Sequence, residues 1–192
     1  MSPIIQTLGN ASAYGYRSFA ADTGSFESIA TVTVGSGGSS TITFSSIPST
    51  YAHLQIRAIS IVSSGNNLGM YFNTDSSSGN YSAHQLQGDG GGVGVLAGTS
   101  LNTMGYLGLY TSSSSYPAVS IIDILDYANT NKYKTIKVLT GQDGNGTGTP
   151  DDWRISLNSG NWRSTSAVSS LTISGPSFAQ YSHFALYGIK SA

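Results

Sequence analysis

Beyond residue 28 the apolar residues of this chain fall in short runs, and clusters of glycine, serine and asparagine separate the runs. AHLQIRAISI alternates most plainly, with Leu54, Ile56 and Ala58 on one face and His53, Gln55 and Arg57 on the other. A period of two is that of a β-strand with one face covered. SIATVTV, GSGGSS and TITF in succession predict a hairpin closed by a glycine-rich turn. AVSIIDILDY and KYKTIKVLT flank ANTN and predict a second hairpin. NLGMYFN, YSAHQLQ, NTMGYLGLY, WRISL, NWRS, SSLTIS and SHFALYGI are further strand candidates. GDGGGVGVLAGTS and GQDGNGTGTPDD read as loops. No run of useful length has the helical period; the nearest, SAYGYRSFAA, is weakened by its glycine and aromatics. About ten strands with frequent turn signals predict an all-β protein, an antiparallel, jelly-roll-like β-sandwich.

The closing strand differs from the rest. Phe184 and Leu186 point to one side and His183, Ala185, Tyr187 and Ile189 to the other, and both sides are largely apolar. That pattern suits a strand covered on both faces, so Phe184 and Leu186 are expected in the core.

Residues 1–28 break the alternation. Pro3, Gly9, Gly15 and Gly24 argue against a helix, while Ile4, Ile5, Leu8, Tyr14, Tyr16 and Phe19 make the segment too apolar to remain solvated. It reads as an extended docking arm, with those six residues as its contacts, ahead of a sandwich domain over 29–192.

Composition narrows the function classes. Charged residues make up 9% of the 192 and the formal net charge is −1, so the basic footprint of a nucleic-acid or membrane-surface binder is missing. The chain has no cysteine, which excludes disulfides and thiolate metal sites. The N-terminal stretch lacks the basic and apolar regions of a signal peptide, and no apolar run reaches the roughly 18 residues of a membrane helix. Synthesis in the cytoplasm is expected.

Candidate chemistry is sparse. GVGVLA has dinucleotide-type glycine spacing, but no strand pattern precedes it and no helix pattern follows it. Asp143 and Asn145, with Asp151 and Asp152 farther on, outline a weak cation loop, but Arg154 stands where a calcium loop places its bidentate glutamate. No metal or cofactor is expected. His53, His84 and His183 have no partner at ligand spacing, and no nucleophile-elbow or phosphate-loop pattern occurs, so an enzyme is not expected. Tyr71, Tyr81, Tyr116, Trp153 and Trp162 lie close to predicted strand ends. There they serve as core caps, as anchors between subunits or as stacking platforms for a glycan.

Four segments resemble parts of tailed-bacteriophage virion proteins with a jelly-roll-type domain. NWRSTSAVSSLTISGPSFAQYSHFALYGIK, with Trp162 and the Tyr187-Gly188 pair, resembles their C-terminal run. TITFSSIPSTYAHLQIR resembles the segment that opens the domain, DILDYANTNKYKTIK its middle hairpin, and TLGNASAYGY a short element that precedes it. The resemblance implies a structural component of the virion surface, assembled as a homotrimer, whose partners are the major capsid protein or tail proteins of the same particle. A capsid decoration protein, a tail adhesin with a host glycan as ligand, and a free carbohydrate-binding module are the readings it leaves open. The apolar arm and the absence of internal repeats favour the first.

Overall fold

Eleven strands run through the residues that the computed structural model describes, 25–62, 68–105, 107, 116–144 and 153–190, and no helix occurs among them. In chain order they are β1 (Phe26–Thr33), β2 (Ser39–Phe44), β3 (His53–Ser60), β4 (Gly69–Phe72), β5 (Tyr81–Gly88), β6 (Val93–Leu101), β7 (Ala118–Leu125), β8 (Lys134–Asp143), β9 (Trp153–Trp162), β10 (Leu171–Phe178) and β11 (His183–Ile189). They form two antiparallel sheets. The larger has eight strands in the order β1-β11-β3-β7-β8-β9-β5-β6, and the smaller has three in the order β2-β10-β4. This is the antiparallel β-sandwich that the alternation predicts.

The core lies between the sheets. Ile42 and Phe44 of β2, Met70 and Phe72 of β4, and Leu171 and Ile173 of β10 pack down from the small sheet. Leu54, Ile56, Ile122, Ile124, Ile136 and Val138 meet them from the large one. The closing strand is interior: β11 is bonded to β1 on one side and β3 on the other. Phe184 and Leu186 are fully buried, and the Phe184 ring meets Phe178 edge-on at 5.1 Å between centroids. On the same face, a Cβ at Gly188 would sit 2.3 Å from the Tyr51 ring, so a glycine is required where Tyr51 lies against the strand.

The β7–β8 hairpin forms as predicted, and its turn is tied down on several sides. The buried Tyr127 hydroxyl donates to the Pro48 carbonyl. The Asp126 amide, at a φ of 49°, donates to His53 Nδ1 at 3.0 Å. Lys134 is buried and its ammonium donates to the carbonyls of Asn129, Lys132 and Thr165 at 2.5, 3.0 and 3.3 Å. Burial pulls its pKa down from the ordinary lysine value, against the opposing pull of Asp126.

Four expectations need correction. β1 and β2 are not a hairpin: β1 pairs with β11 and β2 with β10, so the glycine-rich turn carries the chain from one sheet to the other. A turn signal marks where a chain reverses, not which strand it then pairs with. The stretch read as a loop over 88–100 contains β6, paired along β5. β6 is an edge strand with both faces largely open, so burial imposed no alternation on it. Its glycines are filled from outside, since a Cβ at Gly94 would press on the Gln87 side chain at 3.1 Å. WRISL and NWRS are one strand, β9, continuous through a polar middle where Gly160 makes room for Met104 and Ile136. The sheet also begins at Phe26, inside the segment read as an arm.

The terminal strand supplies a test of this packing. Phe184→Ala empties a fully buried ring site and is expected to cost about 3–5 kcal/mol. Lys190, just past the strand, pairs with Glu27 at 3.2 Å on a partly exposed surface. Lys190→Ala is expected to stay within about 1 kcal/mol. Urea unfolding of the two variants measures the contrast, and equal midpoints would make β11 peripheral.

Candidate interaction surface

The apolar side of the large sheet changes from inner to outer face midway along its strands. On β7, Ile122 and Ile124 face the core, while Val119 and Ile121 face outward. On β8, Ile136 and Val138 are inside and Leu139 outside. The same change occurs on β9 between Trp162 and the outward Ile155 and Leu157, and on β5 between Tyr81 and the outward Leu86. On β3, Leu54 and Ile56 point in and Ile59 points out.

Pairing registers put the change at one level. Ile122, Val138, Asn158 and Gln85 stand side by side on the inner face. One residue along, Ile121, Leu139, Leu157, Leu86 and Val95 form a continuous aliphatic row on the outer face. Beyond that row the inner face is polar, with Ser120, Thr140 and Ser156 buried in line. Ser120 Oγ lies 2.8 Å from Thr140 Oγ1, which bonds the Leu107 carbonyl at 3.0 Å.

A second outer row follows the register Ile59, Val119, Gly141, Ile155, Gly88, Val93. Ile155 is 62% exposed, Val95 76% and Val93 80%. The nine aliphatic side chains of the two rows are all more than a third exposed, whereas surface aliphatics on a monomer normally stand singly. A groove of about 640 Å³ runs between His84, Leu86, Val95, Lys137 and Leu157.

The other half of the outer face is more polar and partly paired within the chain, with Leu125 and Phe26 its exposed apolar residues. Asp123 accepts from Gln55 at 2.8 Å and pairs with Lys137 at 3.4 Å. Arg57 lies over the Phe26 and Tyr187 rings at 5.6 and 5.5 Å.

The residues singled out from sequence do not converge. Tyr81 and Trp162 are buried, stacked 6.4 Å apart, with Phe72 edge-on to the indole at 5.4 Å. Both rings are core in the folded chain and offer no platform to a glycan. Tyr71, Tyr116 and Trp153 are half-buried in separate places, on β4, ahead of β7 and at the start of β9. Asp143 ends β8, while its proposed cation-loop companions Asn145, Asp151 and Asp152 lie outside the described residues. So do Ile4, Ile5, Leu8, Tyr14, Tyr16 and Phe19 of the arm. Among the described residues no group of three His, Cys, Asp or Glu side chains is placed to hold a metal.

Sequence reasoning passed over Asp75. Its carboxylate accepts from the Trp162 indole at 2.8 Å, the Asn80 amide at 2.8 Å and the Ser77 backbone at 3.0 Å. Its carbonyl accepts from the Tyr81 hydroxyl at 2.7 Å. One loop residue therefore ties both core aromatics to the 73–80 turn. The Asp-x-Ser spacing was the available signal. The aliphatic rows were also legible, in the adjacent pairs Ile121-Ile122 and Val138-Leu139, where the alternation slips by one.

No family model, curated relative or solved structure matches the chain.

The Asp75 node has a pH signature. Burial alone would raise its carboxyl pKa, but the hydrogen bonds from Trp162, Ser77 and Asn80 outweigh burial and hold it below the ordinary value of 3.8. A carboxyl depressed in the folded state contributes stability above its unfolded pKa and loses it as pH falls through the folded one. Asp75→Ala, which strands a buried indole N–H, is expected to cost about 1–3 kcal/mol at neutral pH. The gap between variant and parent is expected to narrow below about pH 4, where the unfolded chain takes up the proton. Urea midpoints from neutral pH down to pH 3 check this, and a gap that stays constant throughout contradicts it.

Proposed function

We propose that this chain is a non-enzymatic structural component of a tailed-phage virion, a three-copy decoration protein on the surface of the head. The observation that carries the reading is where the resembling segments fall. TITFSSIPSTYAHLQIR is β2 and β3, DILDYANTNKYKTIK is the β7–β8 hairpin with buried Tyr127 and Lys134, and the C-terminal run spans the end of β9 through β11. The likeness thus covers the core-forming parts of both sheets and is not confined to one loop.

The aliphatic half of the outer face supports an assembled life, since a lone copy leaves it in water. The low charge suits a protein whose surface is largely spent on contacts. In this reading residues 1–24, ahead of β1, anchor the sandwich to the capsid lattice through Ile4, Ile5, Leu8, Tyr14, Tyr16 and Phe19.

One observation favours the tail-adhesin reading as a second choice. Trp153 lines two neighbouring concavities, with Gln87 and Asp89 in one and Asp89 and Asp143 in the other. An indole beside amide and carboxylate groups is a common way to hold a sugar ring. Saturation-transfer NMR with host-surface glycans tests it, and a signal lost in Trp153→Ala would favour the tail.

Electron microscopy of intact particles carrying the chain tests the first reading. Density at regular positions on the head is the expected result; density confined to the tail would overturn it. Deleting residues 1–24 is expected to leave a sandwich with the parent's melting profile that no longer binds particles. Full occupancy by the truncated chain would remove the arm from the account.

A further inference from the structure

We propose that the aliphatic half of the outer sheet face is where copies of this chain meet, closing a ring of three. This deepens the reading above and rests on it only for the number of copies.

The surface is systematic. Five strands turn an apolar residue outward at one level, and at that level the inner face becomes polar. Scattered surface aliphatics need no partner, but two registered rows of them do. The rows carry one charged side chain, Arg57 at the β3 end, which already lies over two aromatic rings. Nucleic acid needs a strongly cationic face, which these rows do not make.

Its relief suits a second copy. From β7 to β6 the second row alternates Val119, Gly141, Ile155, Gly88 and Val93, while Ile59 on β3 adds a further knob beside Val119. A Cβ at Gly141 would meet nothing within 4 Å, so the chain's own atoms leave that dent open. Knobs and dents recur at the same two-strand interval, roughly 10 Å. Over β7 to β6 this relief lets the knobs of one copy enter the dents of another.

Sheet twist points to a ring. Five inter-strand steps separate β3 from β6. At a typical twist of roughly 20–25° per step, the ends of the face look in directions about 100° apart. One flat partner covers only one end. Two neighbours in a closed ring cover both, the β6–β5–β9 end of one copy meeting the β8–β7–β3 end of the next. The chain's own N-terminal segment joins the sheet at Ser25 beside Lys190, at the opposite corner from these rows, and would have to cross the sheet to cover them.

Sedimentation of the full chain at micromolar concentration tests the proposal, with Leu157→Lys and Gly141→Glu as variants. The parent is expected at three times the chain mass and both variants at the single-chain mass. Gly141→Glu is expected to keep the parent's circular dichroism, because nothing in its own chain meets the new side chain. A single-chain or two-chain mass for the parent overturns the proposal, as does a three-chain mass that survives Gly141→Glu. A single-chain parent whose apolar-dye binding appears only after deletion of residues 1–24 assigns the face to the arm. Co-sedimentation of a single-chain parent with anionic vesicles assigns it to lipid. A three-chain parent absent from particles leaves this proposal standing and removes the virion reading.

Discussion

A three-stranded sheet cannot cover an eight-stranded one. At about 4.8 Å per strand the large sheet is roughly 38 Å wide and the small one about 14 Å. The core shared by the two sheets occupies the part of the inner face that β2, β10 and β4 reach, while the change of apolar side runs along the strands and not across them. There Leu54, Ile56, Ile122, Ile124, Ile136 and Phe184 find partners. Beyond it the same strands place Ser120, Thr140 and Ser156 inside. The apolar residues of that half are carried on the outer face, and much of the rest of the molecule follows from the exchange.

The exchange makes the sheet apolar on opposite faces at its two ends. One end builds a core within the chain, and the other presents the two aliphatic rows. The boundary is sharp because antiparallel pairing holds neighbouring strands in fixed register, so a slip of one residue in the pattern of each strand falls at the same level on all of them. A shift of the alternation on one strand alone would have broken a row instead of extending it.

Much of the fold was legible in the chain, and the failures share a cause. β3, the β7–β8 hairpin and the buried Phe184 and Leu186 of β11 were read correctly, because one-sided burial writes itself into alternation and two-sided cover into an apolar run. β6 was read as a loop because both of its faces are largely open. β9 was split because its middle, Asn158, Ser159 and Gly160, crosses the level where the apolar side changes. The pairing of β1 and β2 with different sheets is a tertiary choice that no local pattern encodes. Tyr81 and Trp162 carried no local mark of burial. Their place in the core depends on Asp75, brought to the indole by the 73–80 turn. The outer rows were written in the sequence as paired apolar neighbours, but their meaning appears only once the registers align them.

The central claim is that the aliphatic half of the outer face is covered when the protein is assembled. The chain has no cysteine, so a single introduced thiol reports its own site alone. Gly141→Cys places one in the open dent, and Thr135→Cys places another on the polar half of the same face of the same strand. The measurement is the rate at which a polar maleimide labels each variant at a concentration where the parent is assembled. The account predicts that the thiol at 135 labels rapidly and the thiol at 141 is protected, and that dilution below the association range abolishes the difference. Equal rates at both positions at every concentration would contradict it.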